Sequence, residues 1–234
     1  MPAKLLALAA YLLGVTGAGV FFAYVVGTGT GFWPRAEATD GAWPWLVNIG
    51  LLLLLALQHS GMARQSFKQW WTRFIPASLE RSIYVAASGL VVAGFTLSWQ
   101  ALPGEPLWHG PIWLIAISLF AALGLGLCCG WSDHAAFLGL RHAWTGNAET
   151  RGPLIVTGPY RFVRHPLMLG LLIALWAQPI MPPELLMLNI GLTIYILMAI
   201  RWEERDLLRE YGAEYAKYRS KVPALIPFFN GVLL

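Results

Sequence analysis

Long apolar stretches dominate this sequence and constrain its fold more than any other feature. Six of them approach or reach the roughly 20 residues that an α-helix needs to cross a bilayer. Only 12% of the 234 residues are charged, about half the share found in soluble domains. The pattern predicts an all-α, polytopic integral membrane bundle with about six transmembrane spans, between five and seven, and a cytoplasmic C-terminal helical tail. The predicted spans are 4–26, 43–57, 83–99, 111–131, 166–180 and 184–202.

The basic residues are distributed unevenly between the two sides of these spans. With six spans, all but Arg35 of the sixteen Lys and Arg residues fall on one side. The positive-inside rule therefore predicts that both termini are cytoplasmic. On the same side, residues 62–79 alternate basic and aromatic side chains, a pattern that predicts a segment lying on the membrane surface. The net charge of +4 belongs to one leaflet and does not indicate a nucleic-acid partner.

A polar cluster stands directly before the fifth apolar stretch. Arg161, Arg164 and His165 precede Pro166, which suits the first turn of a helix because its missing N–H would be unpaired there. A helix N-terminus with cationic side chains favours an anion. The cluster therefore predicts a site for an acidic group. The alternative is that Arg161 and Arg164 only fix topology at the membrane surface.

The fifth and sixth spans are joined by the short turn Pro182-Pro183 and should form an antiparallel hairpin. The start of one span and the end of the other would then be neighbours. Arg164 and His165 would face Glu203 and Glu204, which gives cations for a ligand carboxylate and carboxylates for a ligand ammonium.

Three tyrosines downstream, Tyr211, Tyr215 and Tyr218, fall at i, i+4 and i+7, which predicts one face of a helix. Such a face could stack a purine ring. The alternative is a surface helix with aromatic packing and intrahelical ion pairs.

These residues occur in a specific order over about 157–227. The motifs are Gly158-Pro159-Tyr160-Arg161, Arg164-His165-Pro166, Gly170, Glu203-Glu204, Gly212-x-x-Tyr215-x-x-Tyr218 and Val222-Pro223-x-Leu225-Ile226-Pro227. This order resembles the isoprenylcysteine carboxyl methyltransferase superfamily of membrane enzymes, although Met168 stands where that family usually has Tyr. The resemblance implies S-adenosylmethionine as cofactor. The cofactor-binding residues that it implies are Tyr160, Arg161, Arg164, His165, Met168, Gly170, Glu203, Glu204, Tyr215 and Tyr218.

The N-terminal part carries a second resemblance, to bacterial methanethiol S-methyltransferases and the related NnrU-type membrane proteins. Its motifs are Leu57-Gln58-His59-Ser60, Met62-Ala63-Arg64, Glu80-Arg81-Ser82, Asp133-His134 and Leu138-Gly139-Leu140-Arg141. Together the two resemblances imply a single membrane domain, 1–234, in the bacterial inner membrane. They imply a four-span half, 1–131, with elements for the acceptor substrate, and an S-adenosylmethionine-binding core, 157–227.

A thiol acceptor must lose its proton, because the thiolate is the nucleophile, and a histidine can take that proton at neutral pH. His59 and His134 fall at cytoplasmic ends of predicted spans, and Asp133 or Arg141 could orient or tune them. The alternative for His59 is a helix end hydrogen-bonded to backbone. His142 is predicted in a surface connection without a role, and no metal-ligand spacing is present.

Three functions remain open from the sequence. The first is a membrane S-methyltransferase that converts a small thiol, methanethiol, to dimethyl sulfide with S-adenosylmethionine. The second is a carboxyl or lipid methyltransferase of the same fold. The third is a non-enzymatic NnrU-like protein that binds or transports a small molecule, and this last alternative predicts no need for Glu203 and Glu204.

Overall fold

The computed structural model describes residues 2–33, 37–131, 133–147 and 152–227. Arg35 and Arg151, which both enter the charge asymmetry, lie outside these ranges. The described residues form ten α-helices and two short 3-10 turns, Ala77–Leu79 and Gly158–Arg161. The helices are α1 (Pro2–Thr30), α2 (Trp43–Ala63), α3 (Gln65–Trp71), α4 (Glu80–Ser98), α5 (Leu114–Trp131), α6 (His134–Phe137), α7 (Leu140–Thr145), α8 (Pro166–Trp176), α9 (Pro183–Tyr211) and α10 (Ala213–Arg219).

Helix length and composition confirm a polytopic integral membrane bundle. Four segments are long and apolar enough to cross a bilayer, namely α1, α2, α9 and the continuous stretch Ala77–Ser98 that contains α4. Helices α5 and α8 are the two shorter apolar helices. Helix α8 ends at Trp176 and not at the predicted residue 180, because Pro179 disfavours helical geometry in the residue before it.

Helices α1 and α4 cross where Gly14 and Gly17 of one helix face Gly89 of the other. A Cβ atom at Gly17 would lie 2.7 Å from the Cα atom of Gly89. A Cβ at Gly89 would in turn lie 2.7 Å from the Cα atom of Gly14. Backbone approaches backbone here, so that neither helix can yield by moving a side chain. Close contacts of this kind are typical of helix packing in membranes.

The glycine crossing gives a prediction about folding. We expect Gly17→Leu to destabilise the protein by more than about 3 kcal/mol, at or beyond the upper end for overpacking, because the contact is with backbone. Gly19→Leu is the matched control in the same helix, since nothing lies within 4 Å of a Cβ at that position. Thermal unfolding and size-exclusion chromatography in detergent would measure both. Equal stability of the two variants would contradict this description of the crossing.

Helices α8 and α9 form the predicted antiparallel hairpin. Pro182 caps α9 and Pro183 begins it, where a missing N–H costs nothing. Across the hairpin, the Asn189 amide donates to the Leu175 carbonyl at 2.7 Å. The end of α9 therefore lies near the start of α8.

The C-terminal end of α9 differs from the sequence-based expectation. Helix α9 continues past the predicted end at 202 to Tyr211, and Gly212, with φ of +53°, separates it from α10. A positive φ is accessible to glycine but breaks a helix. The prediction of one helical face for three tyrosines is therefore wrong, because Tyr211 lies on α9 while Tyr215 and Tyr218 lie on α10.

Two short segments pack at the same end of the bundle. Helix α3 covers only part of the amphipathic stretch 62–79 that was predicted to lie on the membrane surface. Exposed Trp70 lies in its last turn, and exposed Phe74 follows it. Helices α6 and α7 follow α5. His142, expected in a surface connection, is buried in α7.

The helices alternate in direction, which brings four helix termini together at one end of the bundle. They are the C-terminal ends of α2 and α9 and the N-terminal ends of α4 and α8, which alternating helices place on one side. The Arg- and Lys-rich segments that follow or precede these termini share that side. The candidate site lies there.

Candidate active site

A buried ion pair joins the start of α8 to the end of α9. The Glu204 Oε1 atom accepts from Arg164 Nε at 2.6 Å and lies 2.5 Å from Arg164 Nη2. Both side chains are almost inaccessible, at 8% and 5% exposure. Glu204 Oε1 also lies 3.2 Å from His165 Nε2, and Glu204 Oε2 lies 3.2 Å from Arg219 Nε. Both carboxylate oxygens are therefore occupied by protein groups.

Arg164 also fastens the C-terminal segment to the bundle. Its Nη1 group donates to the carbonyls of Arg219, at 3.2 Å, and Val222. The backbone N–H groups of Arg164 and His165 donate to the carbonyls of Pro223 and Ala224 at 2.9 and 3.1 Å. Four hydrogen bonds from Arg164 and the His165 backbone thus hold the segment that contains Arg219 to Ala224.

These contacts change how the predicted site can work. The sequence suggested that the Arg164 side would bind a ligand carboxylate and that Glu203 or Glu204 would bind a ligand ammonium. The structure pairs Arg164 with Glu204. Burial explains the pairing, since a charge removed from water needs an opposite charge and hydrogen bonds.

His165 lies between the two carboxylates. Its Nδ1 atom is 3.6 Å from Glu203 Oε2, on the side opposite the Glu204 contact. Burial alone would lower the pKa of His165, but the hydrogen bonds and charges of Glu203 and Glu204 more than offset it, so that its pKa is raised. Glu203 itself is 49% exposed. It is therefore the carboxylate of the pair that a ligand can reach.

A cavity of about 420 Å³ opens beside this cluster, within the usual range of roughly 300–1,000 Å³ for small-molecule sites. It brings together three residues predicted from the sequence, His59, Met168 and Glu203. Its other lining residues are Ser60, Ala63, Arg64, Lys68, Arg81, Tyr84, Tyr195, Ala199, Trp202, Asp206, Leu207 and Tyr211.

The ring of His59 is surrounded by hydroxyl groups. Tyr84 Oη lies 3.1 Å from both of its ring nitrogens and donates to its backbone carbonyl at 3.4 Å. Ser88 Oγ lies 3.5 Å from Nδ1. A second hydroxyl pair in the cavity lining joins Ser60 on α2 to Tyr195 on α9 at 2.8 Å. The imidazole therefore has hydroxyl groups as hydrogen-bond partners, and it lines the cavity.

Ion pairs form one edge of this cavity. Arg64 contacts Asp206 at 3.4 Å, and its guanidinium lies 5.0 Å from the centre of the Trp202 ring. Lys68 contacts Glu80 at 3.6 Å. A second, larger cavity of about 740 Å³ shares Arg64, Lys68 and Asp206 as walls. The Arg64–Asp206 pair therefore lies where the two cavities adjoin.

The remaining predicted catalytic residues lie elsewhere. Asp133 caps α6 by accepting from the Ala136 N–H at 3.2 Å, and it forms an ion pair with Arg141. His134 Nε2 lies 3.2 Å from the hydroxyl of Tyr11 on α1. None of the three predicted residues lines the cavity that contains His59. The structure therefore separates the two histidines proposed as bases.

The other predicted cofactor residues do not line the cavity that contains His59. The Tyr218 hydroxyl donates to the Tyr160 carbonyl at 2.6 Å, and burial raises the pKa of Tyr218 to about 12. Tyr215 is 1% exposed, and burial and the charge of Glu204 raise its pKa. Arg161 is exposed. Gly170 packs on α5, where a Cβ would lie 3.1 Å from Leu125 Cδ2.

Sequence reasoning missed several residues of the cavity wall. Tyr195, Trp202 and Asp206 lie on one face of α9 with Glu203. Their spacing of seven and four residues is the helical period, so that this face could have been recognised. Arg81 and Tyr84 enter from the first turns of α4, and only the packing of α4 against α2 brings them to His59.

The fold and this site define a polytopic membrane protein with a small-molecule cavity at the Arg- and Lys-rich end of its helices. Methanethiol S-methyltransferase 2 of Bradyrhizobium diazoefficiens is 40% identical over 199 residues, covering 78% of this chain and 73% of that protein. Methanethiol S-methyltransferase of Mycobacterium tuberculosis is 40% identical over 191 residues, covering 78% of each chain. The enzyme of that name from a Pseudomonas species is 37% identical over 232 residues, covering 95% of this chain and 85% of its own.

The chain belongs to the methanethiol S-methyltransferase family, and it is a membrane methyltransferase. This agrees with the resemblance of its motifs to the isoprenylcysteine carboxyl methyltransferase superfamily. No protein-family model matches the chain. No solved structure matches it either.

Proposed function

We propose that this protein transfers the methyl group of S-adenosylmethionine to methanethiol and releases dimethyl sulfide. The observation that carries the proposal is that His59 and Glu203 line the same cavity. One residue suits proton removal from an acceptor and the other suits a cationic donor. The relatives with 40% identity, which are named for methanethiol methylation, support the choice of acceptor.

The cavity offers groups that fit the donor. S-adenosylmethionine has an ammonium, a carboxylate, a sulfonium and an adenine. Half-exposed Glu203 can bind the ammonium, and Trp202 and Tyr211 can pack on the adenine. Met168 lies in the same wall and supplies apolar contact in place of the tyrosine usual in the superfamily. When bound, S-adenosylmethionine supplies an electrophilic methyl group on a sulfonium.

The acceptor side of the cavity is formed by α2 and α4. His59 takes the thiol proton, and Tyr84 holds the imidazole through hydrogen bonds. Methyl transfer is an in-line displacement, so the protein mainly positions the reacting atoms about 3–3.5 Å apart. In this proposal the N-terminal half, 1–131, provides the acceptor wall, and the core, 157–227, provides the donor wall.

The charge distribution supports a membrane orientation for this reaction. The cavity lies at the end of the bundle that carries most Lys and Arg residues, which the positive-inside rule assigns to the cytoplasm. We place both termini and the mouth of the cavity on the cytoplasmic side of a bacterial inner membrane. The soluble donor is then available from the cytosol, and a small apolar thiol can enter through the bilayer.

The role of Glu203 is testable by donor binding. We expect Glu203→Gln to weaken S-adenosylmethionine binding about ten- to a hundredfold, because a hydrogen bond to a charged group contributes about 1.5–3 kcal/mol. Isothermal titration calorimetry in detergent would measure it. Glu214→Gln is the matched control, since Glu214 is exposed on α10. Equal affinity of both variants and the wild type would assign the ammonium to another group.

Product formation tests the proposed reaction. Purified protein would be incubated with S-adenosylmethionine and methanethiol, and headspace gas chromatography would detect dimethyl sulfide. Product that requires both protein and donor supports the proposal. Donor binding without dimethyl sulfide would retain the cofactor and require a larger acceptor.

A further inference from the structure

We propose that Arg81 is a catalytic residue that binds the sulfur of the acceptor and stabilises it as a thiolate. This inference rests on the proposed function and extends it. It concerns the acceptor wall of the cavity, where Arg81 and His59 both contribute to the lining.

Three side-chain contacts fix the position of Arg81. Its Nε donates to the Phe137 carbonyl at 2.8 Å. Its guanidinium carbon lies 5.1 Å from the centre of the Tyr84 ring and 5.2 Å from that of Phe137. A guanidinium has five N–H donors, so the Nε contact leaves those of Nη1 and Nη2. The side chain is thus held in place while its outer nitrogens are available at the cavity wall.

The charges around this cavity show why Arg81 differs from its neighbours. Arg64 is paired with Asp206, Lys68 is paired with Glu80, and Glu203 contacts His165. In the part of the chain that the structure describes, no carboxylate forms an ion pair with Arg81. His59 and Tyr84 are titratable groups beside Arg81. The other titratable groups in the lining are Arg64, Lys68, Tyr195, Glu203, Asp206 and Tyr211. The acceptor wall therefore carries one cation whose counter-ion can come from a ligand.

A thiolate is the anion that the proposed reaction needs. A thiol such as that of cysteine, with a pKa of about 8.5, is mostly protonated at neutral pH. A fixed cation in a partly desolvated site favours the anion far more than water does. With the proton taken by His59, the sulfur can approach the donor methyl group as a thiolate beside Arg81.

The same cation explains turnover and selectivity. The S–C bond forms as the methyl–sulfonium bond breaks, and its electron pair leaves on the donor sulfur, which becomes a neutral thioether. The product sulfide is also neutral and no longer attracted by Arg81. His59 then returns its proton to solvent. Acceptors that ionise are favoured over neutral sulfides or alcohols of similar size.

Thiocyanate, a small anion with a terminal sulfur, is the probe for this site. We expect it to bind the wild type and to compete with methanethiol. Arg81→Gln should lower kcat/KM about a hundred- to a thousandfold, the range for loss of one preorganised electrostatic group, and weaken thiocyanate binding at least tenfold. The loss in rate should shrink as pH rises, because the thiol then ionises without help. Arg81→Lys should recover part of both losses.

Two further measurements separate an anion site from a structural role. Arg73→Gln removes an exposed arginine outside the cavity lining and should leave activity and thiocyanate binding unchanged. Calorimetry with S-adenosylmethionine would show whether Arg81→Gln retains a folded donor site. If that variant does not fold, the comparison of Arg81→Lys with the wild type carries the test, with weaker thiocyanate binding expected and unchanged binding contradicting the assignment.

Several outcomes would overturn the role of Arg81. They are full activity of Arg81→Gln, wild-type thiocyanate binding by that variant, or a rate loss of equal size at every pH. If the wild type produced no dimethyl sulfide, the proposed function would fail separately. Thiocyanate calorimetry on the wild type and Arg81→Gln would then still decide whether Arg81 forms an anion site.

Discussion

Glu204→Leu is expected to destabilise the protein by about 3–5 kcal/mol, because it leaves buried charges without their partner. Arg164 is 8% exposed and would lose its carboxylate, and His165 and Arg219 would lose contacts at 3.2 Å. The C-terminal segment fastened by Arg164 should loosen as a result. Thermal unfolding in detergent without ligand would measure the loss.

Glu203→Leu is the matched comparison for this effect. It removes a carboxylate from the preceding position of α9 that is 49% exposed, and surface changes usually stay within about 0.5 kcal/mol. The double variant Arg164→Met/Glu204→Leu should recover part of the stability, since replacing a whole buried pair costs less than breaking it. If Glu204→Leu were as stable as Glu203→Leu, the buried Arg164–Glu204 ion pair would not be what holds the C-terminal segment to the bundle.

His59→Ala is expected to lower kcat about a hundred- to ten-thousandfold at neutral pH, the usual range for loss of a general base. Affinity for S-adenosylmethionine should stay near that of the wild type, because Glu203, Trp202 and Met168 form the donor wall. The deficit should shrink as pH rises and the thiol ionises in solution. Initial rates of dimethyl sulfide formation across pH, with donor affinity from calorimetry, would test this.

His134→Ala is the control for the assignment of the base. Both histidines were candidates from the sequence, but His134 lies against Tyr11 on α1 and outside the cavity. It should retain close to wild-type turnover. A large loss in His134→Ala together with normal turnover in His59→Ala would reverse the assignment.

Much of the architecture follows from local sequence signals. Six apolar stretches predicted six helices, and Pro182-Pro183 predicted the α8–α9 hairpin, because chain direction and a tight turn leave little freedom. The break at Gly212 was missed, although glycine is the residue that a positive φ requires. The regular spacing of three tyrosines suggested one continuous helix, and spacing alone does not show where a helix ends.

The site was only partly accessible from the sequence. The hairpin correctly implied that Arg164 and His165 would lie near Glu203 and Glu204. Whether nearby opposite charges bind a ligand or one another depends on burial, and here the carbonyls of Arg219 and Val222 complete the surroundings of Arg164. Those contacts are non-local.

The choice between the two histidines was equally beyond the sequence. His59 and His134 both stand near the ends of predicted spans. Only helix packing decides that Arg81 and Tyr84 meet His59 while Tyr11 meets His134. By contrast, Tyr195, Trp202 and Asp206 repeat with the period of a helix, so that face of the cavity could have been found by spacing.

The central claim, that this chain methylates a small thiol from S-adenosylmethionine, is tested most directly by isotope transfer. Purified wild-type protein would receive S-adenosylmethionine with a trideuterated methyl group and unlabelled methanethiol, and headspace gas chromatography with mass spectrometry would identify the product. We predict dimethyl sulfide that carries one trideuterated methyl group and accumulates with the amount of protein. Unlabelled dimethyl sulfide alone, or none from protein that binds the donor, would contradict the proposed reaction.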